Sequence, residues 1–538
     1  MESSIRAWVE AEFDGIELGD QRLNARFKDI ATQLAKQLGK TIASSFTYWK
    51  EIKAAYRFFA NHKVTEAKML APHIEQSVDR VRAHRRVLLL QDTTYLDFTD
   101  RTKTEGLDVT HRHQSSTLSK GLMLHNTLAV SETGIPLGLL DQRFIDRKQF
   151  HGKNHEECRQ MRHSNRAIEE KESVRWLDII KGAQQYDVGD TEIIHVADRE
   201  SDIYELFRDA IDLEAKVLIR ASKNRAINKE TRREVPSIFL FDHLHAQKEQ
   251  GVINIQLQVN DKHKFRAAKV SIMFTPISMP APPDRTVEKD GAHLPMVPLY
   301  AIMASEKTPP PGHAPICWVL LTNLAVTTLE EAVEKVNWYS YRWNIEVFHK
   351  ILKSGCGVEK AQLRQADRLK KYVVLKSIMA WRIFWLTRTY EAHQEENCLT
   401  VLTDDEWPIL YRKIKKSRYL PPHPPTVGEI FMWIAKLGGH IGRRSDAPPG
   451  VISLWRGWQR FTEMVDDYHV AKKKSHQEKL DEFKQQIAKA CKALCVVRDR
   501  RASANSCRHS SLLSGPEHAS REKIRVRIQL GTPHAYRS

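Results

Sequence analysis

Apolar residues recur at helical spacing near the start of the chain, and short continuous apolar runs replace them further on. The segment QRLNARFKDIATQLAKQL, which follows Asp20, places apolar residues three or four positions apart, and Asp is a common residue at helix N-termini. From Arg86 the chain reads RVLLLQDTTYLDFT, where a run of four apolar residues stops two positions before Asp92. The change predicts a helical region over residues 1–80, followed by a buried strand that ends at Asp92.

Strand-like and helix-like segments alternate over residues 81–360, as they do in an α/β domain. A second apolar strand, Ile193 to Ala197, is followed directly by Asp198, and a third, KVLIRAS, contains Arg220. Residues 221–316 hold further strand-like runs between Pro-rich breaks. We therefore predict an α/β domain that carries a β-rich insertion.

Two further segments complete the predicted domain organisation. Residues 361–470 contain apolar-rich helical segments such as KYVVLKSIMAWRIFWLTRTY. Residues 471–538 are basic. Their first part, KKKSHQEKLDEFKQQIAKACKAL, is compatible with one more helix, and their last part is rich in Ser and Arg with few large apolar residues. We expect this tail to be largely disordered and to add at most a sequence-independent affinity for DNA.

The composition is that of a basic globular protein. A net charge of +17 at pH 7 and a pI near 9.4 favour a polyanionic partner, and nucleic acid is the commonest one, although basic proteins without such a partner exist. No apolar run approaches the roughly 20 residues of a membrane span, and the N-terminus carries no apolar signal region. The seven cysteines lack the paired spacing of a disulfide framework. We expect a cytoplasmic protein without a membrane partner.

Basic and aromatic residues are interleaved in the N-terminal segment YWKEIKAAYRFFANHKV. Small helices with this composition suit contacts to DNA grooves and phosphates, so Lys53 and Arg57 are candidate DNA-binding residues. In the alternative interpretation, the aromatic residues form the core of a small domain and the cations only face water. Both interpretations stay open, because a small DNA-binding domain also needs a core.

The segment Glu331 to Ser354 contains neither Pro nor Gly and predicts one long helix. Around such a helix, Tyr339, Arg342, Glu346 and Lys353 fall within about 60° of one another, and apolar residues occupy the opposite side. This ridge presents one carboxylate beside a phenol and two cations. It suits a metal-binding glutamate next to phosphate-binding cations, and a solvated charged face is the alternative interpretation.

Three carboxylates are candidates for a shared site: Asp92 and Asp198 at strand ends, and Glu346 on the helix. Ligands bind where loops meet at the strand ends of an α/β sheet. Carboxylate oxygens suit Mg²⁺, and two such ions can assist an in-line displacement at phosphorus. Taken alone, either aspartate is more often a turn residue or a helix cap. The nearby alternative ligands are Asp97, Asp100 and Asp202.

The spacing Tyr-x2-Arg-x3-Glu-x6-Lys, which begins at Tyr339 and contains Glu346, resembles the signature of a known family. The chain is similar to the DDE transposases of bacterial insertion sequences, in the branch called the insertion sequence four family. The segment QDTT around Asp92 and the segment ADRESD around Asp198 resemble the two Asp motifs of that family. The resemblance extends from about residue 5 to residue 470, and the tail has no recognised counterpart.

The resemblance implies a ribonuclease-H-like catalytic core with a β-rich insertion, flanked by helical N- and C-terminal domains. The N-terminal domain would bind the inverted repeats at the transposon ends, and the C-terminal region would pair two subunits into a homodimer. Asp92, Asp198 and Glu346 would be the catalytic metal ligands for two Mg²⁺ ions, with Mn²⁺ as a substitute. A bacterial cytoplasmic protein associated with the nucleoid is implied as well.

The resemblance also implies roles for five residues in binding double-stranded DNA. Tyr339, Arg342 and Lys353 correspond to residues that hold the end phosphates and a flipped base. Trp318 corresponds to the aromatic residue that fills the gap left by that base, with a core tryptophan as the alternative. Arg220 corresponds to a contact to the DNA backbone.

The implied reaction is cut-and-paste transposition, in which water nicks each transposon end and the freed 3′-OH closes a hairpin on the opposite strand. Water then opens the hairpin, and the 3′-OH attacks target DNA. Two alternatives stay open. The first is a catalytically inactive DNA-binding inhibitor or regulator of the same fold, and the second is a structure-specific nuclease without strand transfer.

Overall fold

The N-terminal region is helical up to the first strand of the sheet, as predicted. The computed structural model describes residues 4–112, 118–146, 173–227, 238–258, 265–282, 294–443 and 449–508. The N-terminal helices are α1 Ser4–Glu12, α2 Gln21–Lys36, α3 Ile42–Ser45, α4 Trp49–Phe59 and α5 Glu66–Arg82. The predicted start of α2 is confirmed, because the Asp20 side chain accepts a hydrogen bond of 2.8 Å from the backbone N–H of Arg22.

Ten strands in the described residues form one mixed sheet, and two short strands form a separate pair. The strands of the sheet are β1 Arg86–Asp97, β2 Asp108–Arg112, β3 Leu118–Ser131, β4 Pro136–Ile145, β5 Glu192–Ala197, β6 Lys216–Arg220, β9 Gly251–Gln258, β10 Phe265–Met279, β11 Val297–Ser305 and β12 Cys317–Thr322; the short pair is β7 Ala226–Ile227 with β8 Ile238–Phe239. Strand β1 lies between antiparallel β3 and parallel β5, and β6 continues the parallel part.

The strands of the predicted β-rich insertion extend the central sheet. Strands β9, β10 and β11 pair antiparallel in succession, and β11 pairs with β12, which in turn pairs with β6. The sheet order is therefore β2-β3-β1-β5-β6-β12-β11-β10-β9, with β4 on β3. Parts of the insertion, residues 228–237, 259–264 and 283–293, lie outside the described residues.

Helices cover both faces of the sheet because its strands are apolar on both faces. One face packs against α6 Val174–Ala183, α7 Tyr204–Asp212 and α8 Leu240–His245. The other face, which includes Leu88 and Leu90 of β1, shares a core with the N-terminal helices and with later helices. The predicted functional residues of β1 and β5 lie at the edge of this second core.

The predicted helix over residues 331–354 is divided into three pieces. They are α9 Leu329–Ser340, α10 Trp343–Lys350 and a π-helical turn, Ile351–Gly355. At the first break the Asn344 side chain donates a hydrogen bond of 3.1 Å to the carbonyl of Gly134, and Arg388 donates to Asn344 at 2.8 Å. These contacts come from distant parts of the chain. The prediction of one continuous helix was therefore wrong.

The C-terminal region consists of helices, and the last of them continues into the predicted tail. The helices are α11 Ala366–Ala392, α12 Glu406–Lys415, α13 Val427–Leu437 and α14 Val451–Arg508. The chain divides into two units, Met1–Tyr468 and His469–Ser538. Helix α14 continues over residues 471–508, which include the segment KKKSHQEKLDEFKQQIAKACKAL, and residues 509–538 lie outside the described part. No helix within the described ranges is long and apolar enough to cross a membrane.

Candidate active site

Strand pairing brings the first two predicted carboxylates side by side. Strands β1 and β5 run parallel, with Leu90 opposite Val196 as the last printed pair of their register. Continued by two residues, this register sets Asp92 opposite Asp198, whose backbone is still extended. Residues two apart on a strand share a face, so both aspartates lie on the face of the buried Leu90 and Val196.

The two aspartates differ in their local structure. Asp198 follows β5 directly, as predicted, and its carboxylate accepts a hydrogen bond of 2.9 Å from the backbone N–H of Glu200. Asp92 does not follow its strand, because β1 continues to Asp97 and pairs Asp92 with Asn126 of β3. The apolar run ends near Asp92, but the hydrogen-bonded ladder with β3 extends the strand beyond it.

Helix α10 brings Glu346 to the two aspartates. Its neighbours Ile345 and Phe348 are fully buried, so the helix is held against the core with Glu346 at its edge. Burial raises the pKa of Asp92 to about 7, with Arg342 opposing the shift and the charges of Asp198 and Glu346 adding to it. Burial and the charge of Asp198 also raise the pKa of Glu346. All three carboxylates therefore interact electrostatically with one another.

The Arg342 guanidinium is the cation that balances part of this negative charge. It donates a hydrogen bond to Glu346 and is attracted to Asp92 as well. Burial works against the charged guanidinium, but the attraction of Tyr339, Glu346 and Asp92 outweighs it, so the pKa of Arg342 lies above its ordinary value. Arg342 lies just before α10, at the break in the predicted helix.

The four signature residues line two cavities instead of one continuous ridge. A cavity of about 540 Å³ is lined by Asp92, Glu346 and Lys353. A cavity of about 700 Å³ is lined by Tyr339 and Arg342. Trp343, which lies between the two halves of the signature, lines both cavities. The break after α9 separates the signature into these two parts.

The larger cavity also collects the remaining predicted DNA-binding residues of the core. Trp318 and Tyr339 meet edge to face, with ring centroids 5.2 Å apart. The charge of Arg220 opposes the rise that burial causes in the pKa of Tyr339, and Arg220 donates a hydrogen bond of 3.3 Å to the carbonyl of Cys317. Tyr339 is only 4% exposed, so it faces the cavity and the core, and it is not part of a solvated ridge.

The predicted N-terminal DNA contacts lie on a separate element. Lys53 and Arg57 are exposed, one turn apart on α4. The same helix begins at Trp49, which is 73% exposed, and ends in the buried Phe58 and Phe59. The buried Phe58 and Phe59 agree with a core role for part of the aromatic residues, and Trp49 faces solvent on the helix that carries the cations. Contacts of Lys53 and Arg57 to DNA stay a prediction.

Three buried histidines that sequence reasoning missed contact the strand that carries Asp92. The three residues are His125, His195 and His349. Burial lowers the pKa of each ring, to about 4 for His195 and to about 3 for His349, so the rings are uncharged. Gln91 donates a hydrogen bond of 2.9 Å to His195, and the hydroxyl of Thr93 lies 2.7 Å from His125. His349 approaches Asp92 itself. The available signal was a single histidine inside each of three apolar segments, HNTLAV, EIIHVA and VFHKIL.

The donor chemistry of the site fits a hard divalent cation. The three carboxylates lie close enough to repel one another, and a positive ion bound between them would reduce this repulsion. Within the described ranges, no three His, Cys, Asp or Glu side chains are grouped closely enough to hold an ion. Glu346 is instead engaged by Arg342, and Asp198 by the backbone of Glu200.

Three family models match the chain in succession. They are the models described as transposase DNA-binding, over residues 5–64, transposase DDE domain, over residues 145–382, and transposase Tn5 dimerisation domain, over residues 378–478. The DDE match contains Asp198 and Glu346, whereas Asp92 precedes it. Asp92 is associated with Asp198 by the strand register and with Glu346 by the cavity that both line. With a DNA-binding, a catalytic and a dimerisation region in this order, the chain belongs to the DDE transposases.

Proposed function

We propose that this transposase works by cut-and-paste transposition and belongs to the insertion sequence four family. The convergence of Asp92, Asp198 and Glu346 from two strands and a helix carries the proposal. We assign the catalytic core to the ribonuclease-H-like class. In support, β1 is flanked by antiparallel β3 and β4 on one side and by parallel β5 and β6 on the other.

The three carboxylates would hold two Mg²⁺ ions, for which Mn²⁺ is a substitute. When bound, such ions would activate an attacking oxygen and stabilise the leaving oxygen at the scissile phosphate. Asp92 lies within β1 and Asp198 directly follows the adjacent parallel strand β5, so the pairing of these two strands sets the spacing of the two carboxylates. Arg342 would exchange its contact with Glu346 for a DNA phosphate, which a guanidinium binds in a bidentate manner.

Four displacements at phosphorus would occur at each transposon end. Water first breaks one phosphodiester bond and leaves a 3′-OH, which then attacks the opposite strand and closes a hairpin as the flanking DNA departs. Water opens the hairpin, and the restored 3′-OH attacks a phosphate of the target. Each step forms one P–O bond as another breaks, so the sequence needs neither ATP nor a covalent enzyme–DNA intermediate.

The larger cavity would receive a base flipped out near the cleavage point. Flipping costs a few kcal/mol of unstacking, which contact with the aromatic rings of Trp318 and Tyr339 would partly offset. Arg220 and Arg342 line the same cavity and would hold the neighbouring phosphates. Lys353, in the smaller cavity beside Asp92 and Glu346, would hold a phosphate at the reacting end.

Recognition of the transposon ends would use the N-terminal domain. Lys53 and Arg57 are exposed on α4 and would contact the inverted repeats. Two chains would bridge two ends through the region that matches the dimerisation model. We place this activity in a bacterial cytoplasm, on nucleoid DNA.

The test is end cleavage by purified protein with Mg²⁺ and DNA that carries the ends of its own element. The wild type should release the flanking DNA. Asp198→Ala and Glu346→Ala should bind the ends without cutting them, and Asp190→Asn, a change at an exposed carboxylate that is not a candidate ligand, should cut normally. Intact DNA with confirmed binding by the wild type would refute the enzymatic proposal. Normal cutting by either alanine variant would remove that residue from the ligand set.

A further inference from the structure

A chain of buried polar side chains leads from helix α11 to Asp92. Gln142 of β4 donates hydrogen bonds of 2.7 Å to the Ser377 hydroxyl and 2.8 Å to the side-chain oxygen of Asn126. Asn126 in turn donates a hydrogen bond of 3.0 Å to Nε2 of His349. Ser377 and Asn126 are fully buried, Gln142 is 9% exposed and His349 is 6% exposed. Four elements of the fold therefore contribute to one connected network.

The direction of these hydrogen bonds determines the tautomer of His349. Since the Asn126 oxygen accepts from Gln142, its amide nitrogen is the group that faces His349 and donates to it. Nε2 is then an acceptor, and in a neutral ring the proton is on Nδ1.

The protonated Nδ1 faces the carboxylate of Asp92. It lies 3.7 Å from Oδ2, which is longer than a hydrogen bond and short enough for a directed electrostatic attraction. The contact therefore favours one rotation of the carboxylate without occupying either oxygen as a full hydrogen-bond acceptor. Both oxygens of Asp92 remain usable as ligands.

We propose that His349 is a positioning residue that sets the orientation of the Asp92 carboxylate for metal binding. The inference rests on the proposed role of Asp92 as a metal ligand. Holding β1 in place does not require His349, because the neighbours of Asp92 in that strand are already held by His195 and His125. Groups that orient a metal ligand from behind typically change metal affinity or activity by about tenfold to a hundredfold when they are removed.

Two substitutions test the contacts of the two ring nitrogens of His349 separately. In His349→Gln the amide reaches the position of Nε2 and keeps a partner for Asn126, but the donor towards Asp92 is lost. In His349→Asn the amide replaces Nδ1 and keeps that donor. The readouts are Mn²⁺-induced thermal stabilisation of the DNA-free protein, and the Mg²⁺ concentration that gives half-maximal end cleavage.

We expect His349→Gln to raise both half-saturating metal concentrations by about tenfold or more, with a metal-free melting temperature close to that of the wild type. His349→Asn should stay within about threefold of the wild type. Wild-type metal dependence in His349→Gln would overturn the inference, and so would equal losses in the two variants. If His349→Gln does not fold, Asn126→Ser carries the test. This variant lacks the Asn126 amide that donates to Nε2 of His349, so the ring proton is no longer confined to Nδ1 and Mn²⁺ binding should weaken. Unchanged Mn²⁺ binding in Asn126→Ser would overturn the inference.

Asp92→Asn distinguishes failure of this inference from failure of the proposed function. If Asp92→Asn removes Mn²⁺ stabilisation while His349→Gln retains it, only the role of His349 is wrong. If Asp92→Asn also retains Mn²⁺ stabilisation, Asp92 is not a ligand, and both the inference and the proposed ligand set fail.

Discussion

Replacing Asp92 with asparagine should stabilise the metal-free protein. The Asp92 side chain is 19% exposed and lies beside two other carboxylates, so its ionised form is disfavoured in the folded state. Asparagine is nearly the same size and carries no charge. The site therefore stores an electrostatic cost that Asp92→Asn removes, at the expense of the chemistry for which we propose the carboxylate is required.

The magnitude and the sign follow from the pKa of Asp92. Its value of about 7 in the folded protein lies above the ordinary 3.8, so the folded state holds the proton more tightly than the unfolded state does. Below pH 3.8 the carboxyl is neutral in both states and costs nothing. As the pH rises to 7 the cost grows, and above pH 7 it levels off at up to about 4 kcal/mol. The advantage of Asp92→Asn over the wild type should follow the same curve.

The measurement is thermal denaturation of wild type and Asp92→Asn from pH 4 to pH 9, without divalent ions. The difference in melting temperature should be near zero at pH 4 and reach several degrees at pH 8. Asp190→Asn, at an exposed carboxylate that is not a candidate ligand, serves as the control and should show no such rise. A destabilised Asp92→Asn at pH 8, or a difference that does not change with pH, would refute the proposed cost of holding the ionised Asp92 carboxylate in this buried site beside two other carboxylates.

Substitutions in three other parts of the molecule give further tests. Burial raises the pKa of Glu12, but its contacts with His73 and Arg80 outweigh burial and hold the pKa at about 2. Glu12→Gln should therefore lower the free energy of unfolding by roughly 3 kcal/mol at pH 7, and in denaturation experiments the loss should shrink as the pH falls below 4.5 towards 2. Trp318→Ala should slow hairpin formation in a gel assay while Trp318→Phe retains most of the rate; equal rates would argue for a core tryptophan. Lys53→Ala and Arg57→Ala should each weaken binding of transposon ends and reduce its salt dependence by about one unit of slope, and an unchanged slope would exclude a phosphate contact.

The sequence by itself determined the elements that depend on neighbouring residues. The cap at Asp20, the strand before Asp198 and the buried side of the helix that carries Glu346 all follow from local periodicity, and the structure agrees with each. The signature spacing also identified Glu346 and Arg342 as neighbours, since residues four apart on helical backbone meet on one side. The predicted end of the strand at Asp92 was wrong, because β1 continues to Asp97, and the role of Asp92 as a ligand stays a prediction.

Only the tertiary structure decided how these pieces meet. Strand β1 extends past Asp92 because β3 supplies hydrogen-bond partners from a different part of the chain. The helix before Glu346 breaks where Asn344 reaches Gly134, and this break divides the signature between two cavities. His349 faces Asp92 through contacts between residues more than 200 positions apart in sequence. Local periodicity carries no information about such pairings, because long-range contacts set the strand ends, the helix break and the orientation of the site.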